Sequence, residues 1–96
     1  MKITKSNLEN EIILTLEGWL DTEAASEFGS ELESTDAADK TLILDLKGLE
    51  YISSSGVRQV VAAHKKMEGR LIVRNTPENI MNVFSSIGID KRVRFE

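Results

Sequence analysis

The run Thr-Leu-Ile-Leu-Asp-Leu at residues 41–46 constrains the fold more than any other part of this sequence. It is the most continuous apolar stretch in the chain, and it is far shorter than the roughly 20 apolar residues that a membrane-spanning helix needs. Nearly continuous apolar character over such a length is typical of a parallel strand that is covered on both faces. We therefore predict that residues 41–46 form the central strand of a mostly parallel sheet.

Shorter apolar or alternating stretches predict further strands. Residues 12–16 should form a strand that ends at Gly18, and residues 2–5 should form an edge strand that pairs with it through a turn at 7–10. A turn is also predicted at Lys47-Gly48. The remaining strands are predicted at 49–52, 71–73 and 93–95.

A first helix is predicted to follow residue 20. Asp21 or Thr22 can cap it, because either side chain accepts a hydrogen bond from the free N–H groups of a first helical turn. Its apolar face consists of Ala25, Phe28 and Leu32. A polar connector is predicted at residues 34–40.

Two more helices follow in the second half of the chain. One begins in the serine-rich turn at 53–56 and ends at Gly69, and the other starts at Thr76-Pro77, with Thr76 as the cap, and ends at Gly88. Their apolar faces consist of Val57, Val60, Val61, His64 and Met67, and of Ile80, Val83, Phe84 and Ile87.

The predicted element order is β-β-α-β-α-β-α-β, and no stretch of the sequence resembles a linker. Strands that alternate with helices imply a mostly parallel sheet joined by right-handed crossovers. The 96 residues fit one domain, 1–96. The predicted fold class is a single α/β domain whose sheet has about five strands, mostly parallel, with an antiparallel N-terminal hairpin.

Composition and charge argue against several classes of function. The formal net charge is -4, so no overall basic character indicates a nucleic-acid partner. The chain has no cysteine, and His64 is its only histidine, so thiolate chemistry is impossible and a metal site is poorly supplied. Polar residues begin the chain where a secretory leader would be apolar, so we expect a cytoplasmic protein without membrane insertion. We expect no cofactor either.

Ser54, His64 and Asp45 supply the residue types of a catalytic triad, but their spacing argues against one. His64 lies in the helix that Ser54 begins, roughly 15 Å further along its axis. It also falls on the apolar face, so a core or boundary position is the better interpretation. Gly-x-Ser-x-Gly, the usual nucleophile turn, is absent. We therefore expect no catalytic residues, although a small hydrolase that uses Ser54 is an alternative hypothesis.

The turn Ser53-Ser54-Ser55-Gly56 is the feature that these exclusions leave. One serine is expected to cap the helix, yet a cap needs only one hydroxyl. Junctions at the carboxyl ends of parallel strands are where binding sites collect. An exposed serine there can be a phosphoacceptor, and phosphorylation would add a charge of about -1.5 to -2 to a contact surface. The residues alone leave all three serines open.

Two segments resemble the signature of STAS domains, the fold of bacterial anti-sigma factor antagonists. Asp45 to Val57, read Asp-Leu-Lys-Gly-Leu-Glu-Tyr-Ile-Ser-Ser-Ser-Gly-Val, is similar to the family's strand that ends in Asp-Leu and the Asp-Ser-Ser-Gly-Leu that opens a helix. Gly18-Trp19-Leu20-Asp21 is similar to a second family element, Gly-x-Leu-Asp. The resemblance covers essentially the whole chain and points to the stand-alone bacterial type.

The resemblance implies roles for particular residues. The family's phosphoacceptor, the first serine of Asp-Ser-Ser-Gly, corresponds to Ser54, with Ser53 and Ser55 as less favoured acceptors. Ser55 and Gly56 match the second serine and the glycine, whereas Ser53 stands where the family has aspartate. The expected partner-binding residues are Asp21, Ser53, Ser54, Ser55, Gly56 and Arg58, of which Arg58 is included for its location alone.

The resemblance also implies a partner-switching mechanism. The unmodified domain binds an anti-sigma factor that is also a serine kinase, which frees the sigma factor. Phosphorylation by that kinase releases the domain, and a serine phosphatase resets it. The protein would be a substrate and not an enzyme. The alternative is a STAS subunit without a phospho-switch, acting as a scaffold in a stress-signalling complex or as a cytoplasmic component of a lipid-transport complex.

Overall fold

A computed structural model of the chain describes residues 1–37 and 39–96, so position 38, inside the predicted connector, lies outside the described residues. Within them the elements are β1 (Lys2–Asn7), β2 (Glu11–Leu20), α1 (Thr22–Ser34), β3 (Thr41–Ile52), α2 (Ser54–Lys66), β4 (Leu71–Arg74), α3 (Glu78–Ser86), a 3₁₀ turn (Ile89–Lys91) and β5 (Arg94–Phe95). The order β-β-α-β-α-β-α-β is the predicted one, with the 3₁₀ turn added.

The strands form one five-stranded sheet in the order β1-β2-β3-β4-β5. β1 is antiparallel to β2, and the other neighbouring pairs are parallel. The Leu8 N–H donates to the Glu11 carbonyl oxygen at 2.8 Å and closes the hairpin between β1 and β2. The predicted α/β fold class, with its mostly parallel sheet and N-terminal hairpin, is confirmed.

The three helices pack on one face of the sheet. Parallel strands that follow one another in sequence order, joined by right-handed crossovers, place every connecting helix on the same side. Alternate strand residues, such as Leu14, Leu44 and Val73, face these helices and are fully buried in one cluster with Phe28 and Phe84. This cluster is the hydrophobic core.

The second face of the sheet has no helix among the described residues, which differs from the expectation that the central strand is covered on both sides. Ile43 on this face is nevertheless only 3% exposed. It is buried because it lies between its register partners Ile13 in β2 and Ile72 in β4. Side chains of neighbouring strands thus provide the cover that the apolar run requires.

The glycines that were predicted to end β2 and to form a turn in β3 lie inside these strands. Register shifts on either side of Gly18 mark β-bulges, and Gly18 has φ of 100°, a conformation that favours glycine. A Cβ on Gly48 would lie 2.9 Å from the Cγ of Glu17 in the adjacent strand. The strand end at Gly18 and the turn at Lys47-Gly48 are therefore wrong predictions, because these glycines permit a bulge and a close contact.

The helix starts agree with the sequence in two cases of three. The Asp21 side chain, rather than that of Thr22, caps α1, and Ser53 caps α2. Thr76 does not cap α3: the N-cap position is Pro77, and the Thr76 hydroxyl is buried without a hydrogen-bond partner in the described part of the chain. Pro77 is itself extended, with φ of -59° and ψ of 151°, so α3 begins one residue later than predicted and Thr76 lies before the cap position.

The helix ends and faces follow the predicted pattern with local exceptions. α2 ends at Lys66, and the chain then turns through Glu68 and Gly69, with φ of 51° and 87°. Gly88 has φ of 77° after α3. Of the residues assigned to apolar faces, Ile87 is 56% exposed, and Val61, His64 and Val83 are half-buried.

Candidate functional site

The carboxyl ends of β2 and β3 lie side by side, and each leads directly into a helix. Leu20 and Ile52 are register partners, and the Ser53 N–H donates to the Leu20 carbonyl oxygen at 2.8 Å. α1 and α2 each begin two residues beyond these partners. The hydrogen bond therefore fixes the two helix starts relative to each other and brings Asp21 and the serine turn to the same end of the sheet.

Ser53 is an enclosed structural residue. Its backbone is extended, with φ of -88° and ψ of 167°, and its hydroxyl oxygen accepts a hydrogen bond from the Gly56 N–H at 3.1 Å. Its carbonyl oxygen accepts from the Val57 N–H at 3.0 Å, and the residue is only 8% exposed. Serine is among the preferred residues for this N-cap role.

Ser54 and Ser55 do not cap α2. Ser54 is exposed and Ser55 is half-buried, and neither hydroxyl forms a hydrogen bond within the described residues. Arg58 is also exposed and lies four residues after Ser54 in α2. Residues at this spacing are neighbours on one helix face, so the guanidinium can reach a group attached to the Ser54 hydroxyl.

Gly56 allows α2 to start against the core. A Cβ at this position would lie 2.8 Å from the Cγ of Leu20 and 2.9 Å from the Cγ1 of Ile52. Real Cβ atoms almost never approach other heavy atoms so closely. The glycine thus lets the first turn of α2 lie directly on the ends of β2 and β3.

Asp21 has a structural role as well as an exposed position. Its Oδ1 atom accepts a hydrogen bond from the Ala24 N–H at 2.9 Å, which is the side-chain cap of α1. The residue remains exposed at the end of the sheet. Of the predicted partner-binding residues, Asp21, Ser54 and Arg58 are therefore exposed, Ser55 is half-buried, and Ser53 and Gly56 are buried.

Two aromatic side chains at this end of the sheet were not predicted as part of a site. Trp19 and Tyr51 are register partners, with ring centroids 5.1 Å apart and planes tilted by 37°. They are 58% and 42% exposed. Sequence alternation offered one signal, since Trp19 immediately precedes a core leucine and must point away from the core.

Ser54, His64 and Asp45 form no hydrogen bonds with one another among the described residues. The buried Nδ1 atom of His64 has no hydrogen-bond partner among the described residues. Asp45 instead accepts from the Lys47 N–H at 3.1 Å and from Asn75 at 3.2 Å, and its carboxylate lies 3.5 Å from the Arg74 guanidinium.

Among residues 1–37 and 39–96, no cluster of His, Cys, Asp or Glu side chains could hold a metal ion. No helix in this part of the chain combines the length and the apolar character needed to cross a membrane.

Comparisons with known proteins agree with the fold. The sequence profile of the STAS domain matches residues 2–96. BtrV of Bordetella bronchiseptica, named as a candidate anti-sigma factor antagonist, is 29% identical over an alignment of 92 residues, and the match covers 92% of this chain and 79% of BtrV.

Solved structures share the fold at lower identity. An anti-sigma factor antagonist from Mycobacterium paratuberculosis superposes with a TM-score of 0.88 at 16% identity, over 98% of this chain and 83% of that one. The anti-sigma factor antagonist SpoIIAA in its unphosphorylated form gives a TM-score of 0.81 at 19% identity, over 99% of this chain and 88% of its own. SpoIIAA in its phosphorylated form gives 0.76 at 20% identity, over 99% and 91%.

Proposed function

Since this chain belongs to the STAS domain family, we propose that it is an anti-sigma factor antagonist whose binding to a serine-kinase anti-sigma factor is ended by phosphorylation of Ser54. This proposal rests on the different positions of Ser53 and Ser54 within the serine turn. Ser53 is buried and caps α2, whereas Ser54 is exposed and its hydroxyl bonds to no described residue. The domain can therefore offer Ser54 to a kinase without opening its fold.

Exposure favours Ser54 over its neighbours as the acceptor. A kinase must reach the hydroxyl oxygen, and the oxygen of Ser53 is enclosed and already accepts the Gly56 N–H. Modification of Ser53 would remove the cap of α2, at a cost of about 1 kcal/mol for a typical cap. Ser55 is half-buried, so it is a poorer acceptor than Ser54.

The fold should tolerate a phosphate on Ser54. Ser54 is the first residue of α2, where the helix dipole favours negative charge by about 0.3–1 kcal/mol at an exposed site. α2 has no acidic residue in its first turn, and Arg58 lies one turn further on the same face. A phosphoserine at position 54 can pair with Arg58 by charge-assisted hydrogen bonds. Phosphorylation should therefore weaken binding of the partner and leave the stability of the domain nearly unchanged.

Release of the partner follows from the chemistry of phosphoryl transfer. The kinase transfers the γ-phosphoryl group of ATP to the Ser54 oxygen: the new P–O bond forms as the bond from that phosphorus to ADP breaks, the hydroxyl proton passes to a base of the kinase, and ADP stays in the kinase site at first. The phosphoserine and the bound ADP then carry like charges in a confined contact, and the new dianion must lose water there. Both effects weaken the complex. A serine phosphatase that hydrolyses the phosphoester restores the binding form, and in this proposal the domain is a cytoplasmic kinase substrate that needs no cofactor.

Ser53 replaces the aspartate of the family motif without loss of the helix cap. Serine and aspartate are similarly effective caps, and the Ser53 hydroxyl makes the expected bond to the Gly56 N–H. What the replacement removes is a negative charge next to Ser54. Ser53→Asp restores that charge and should preserve the fold, which makes it the matched variant for measuring how the charge affects phosphorylation.

The test is phosphate transfer from labelled ATP with the purified anti-sigma factor kinases of the same genome. We expect one phosphate on the wild type, none on Ser54→Ala, and retained labelling on Ser55→Ala. Ser54→Ala should still bind the kinase, because the substitution removes only the hydroxyl. Binding without labelling of any serine would contradict the phospho-switch and favour the scaffold alternative. Absence of binding to every such kinase would overturn the proposed function itself.

A further inference from the structure

Trp19 and Tyr51 form an exposed apolar surface that the fold does not use, which we call the aromatic patch. Their rings contact each other at 5.1 Å between centroids and remain 58% and 42% exposed. Single exposed apolar residues are normal on protein surfaces, but a paired tryptophan and tyrosine supply a large contact area with little conformational freedom to lose. Tryptophan and tyrosine are also enriched among residues that dominate binding energy.

Carboxylates lie next to the Trp19 side of the aromatic patch. A concavity of about 230 Å³ next to it is lined by Met1, Trp19, Asp21, Glu23, Ala24 and Glu27. Exposed Glu50 precedes Tyr51 in β3. The ion pairs of the described residues use none of the carboxylates of Asp21, Glu23, Glu27 and Glu50. These carboxylates, which we call the acidic border, place several negative charges beside an electron-rich tryptophan face, and that of Asp21 also caps α1.

We propose that the aromatic patch and its acidic border anchor a partner surface that presents an arginine or lysine side chain among apolar residues. The cation would lie over the Trp19 ring and near the carboxylates, where cation–π attraction and charge pairing act on the same group. Apolar neighbours of that cation would cover Tyr51. This inference rests on the proposed function, because it takes the anti-sigma factor as the occupant.

Position and charge favour this occupant over a second copy of the chain. The patch lies next to the serine turn. Trp19 precedes Leu20 in β2, and Tyr51 precedes Ile52 in β3. The Ser53 N–H, directly after Ile52, donates to the Leu20 carbonyl oxygen at 2.8 Å. A partner that places its kinase site at Ser54 therefore reaches the patch. Two copies that paired through this surface would bring two acidic borders together, and like charges oppose such a contact.

Tryptophan fluorescence of this domain reports on the aromatic patch, because Trp19 is the only tryptophan in the chain. On addition of the purified anti-sigma factor kinase, with ADP and without ATP so that no phosphate is transferred, its emission should shift to the blue. Acrylamide should then quench it less. Calorimetry should show that Trp19→Ala raises the Kd for the kinase about 30-fold, as expected for a dominant contact residue.

Leu8→Ala is the matched control, since Leu8 is 45% exposed but lies in the β1–β2 turn at the opposite end of β2. It should leave Kd unchanged. Glu23→Gln combined with Glu27→Gln should weaken binding at low salt and reduce its salt dependence. Far-UV circular dichroism checks that each variant is folded.

The outcomes separate this inference from the proposed function. Binding of the kinase with Trp19 emission unchanged and with equal Kd for Trp19→Ala would overturn the aromatic anchor and leave the antagonist function standing. Absence of binding by the wild type overturns both. A blue shift of Trp19 that depends on the concentration of the domain alone, with a dimer in sedimentation, would assign the patch to a second copy and overturn the inference.

Discussion

Replacement of Gly56 by alanine tests how closely α2 is packed on the strand ends. The added Cβ would lie 2.8 Å from the Cγ of Leu20, 2.9 Å from the Cγ1 of Ile52 and 3.0 Å from the Cδ2 of Leu20. These neighbours are 0% and 6% exposed, so the core restricts their movement. The helix start must therefore shift, or two core side chains must leave their preferred rotamers.

Two opposing terms set the size of the effect. Alanine is favoured over glycine within a helix by about 1 kcal/mol, which would stabilise the variant. Extra volume in a well-packed core costs about 1–3 kcal/mol. Contact with two buried side chains places Gly56→Ala at the upper part of that range, so we expect a net loss of about 1–2 kcal/mol. For a domain of this size, each 1 kcal/mol lowers Tm by about 4–8 °C.

Gly29→Ala in α1 is the matched control. Its Cβ would lie 2.9 Å from the Oε1 atom of Gln59, almost the same distance as at Gly56. The obstacle there is the end of a flexible, half-buried side chain that can rotate away. We therefore expect Gly29→Ala to stabilise the domain by about 0.5–1 kcal/mol through helix propensity.

Urea unfolding separates the two glycine variants. The midpoint should fall for Gly56→Ala and rise for Gly29→Ala, with the m-value unchanged in both. The reasoning is refuted if Gly56→Ala is as stable as the wild type, or if both substitutions shift the midpoint in the same direction. In the first case the core at Leu20 and Ile52 yields more easily than its burial implies.

Three further predictions concern the serine turn and the open face of the sheet. Ser53→Ala should lower the free energy of unfolding by about 1 kcal/mol through loss of the cap. Ser53→Asp keeps a cap and should change this free energy by only about 0.3 kcal/mol, and urea unfolding measures both. Ser54→Glu should raise the Kd for the anti-sigma factor by at least about 10-fold with Tm unchanged, and equally tight binding of this variant would argue against the charge-based switch. Burial of Asp45 disfavours its ionised form, but hydrogen bonds from the Lys47 N–H, Asn75 and Arg74, together with the arginine charge, outweigh burial and lower its pKa below the ordinary 3.8. A lowered pKa stabilises the fold above pH 3.8, and this contribution is lost as pH falls through the folded-state pKa. The stability difference between wild type and Asp45→Asn should therefore shrink in acid, and a constant difference from pH 6 to pH 2 would contradict it.

Periodicity and the apolar run of β3 were enough to predict the fold class, because most elements bury one regular face. The alternation of Leu42 and Leu44 in β3 and the helical spacing of Val57 and Val60 in α2 arise from local geometry. The end of β2 was harder to predict, because a glycine such as Gly18 is equally suited to a turn and to a β-bulge. Only pairing with β3 distinguishes them, and pairing is a long-range property that local sequence does not contain.

The sequence indicated which turn forms the candidate site, but it did not indicate all the side chains on the surface around that turn. Serine-rich character at a strand-to-helix junction indicated the turn, and the resemblance to STAS domains selected Ser54 within it. The cap assignment to Ser53 needed the structure, since all three serines have the same chemistry. Trp19 and Tyr51 were missed because their pairing depends on the bulges that shift the register between β2 and β3.

Under the proposed phospho-switch, the difference between the capping Ser53 and the exposed Ser54 affects how such a domain can evolve. Since the Ser53 hydroxyl holds the helix start, Ser54 is free to change with little effect on folding. A single substitution at that position could convert a regulated binder into one that is permanently available or permanently released. Lineages could therefore gain or lose the control while they inherit the same stable scaffold.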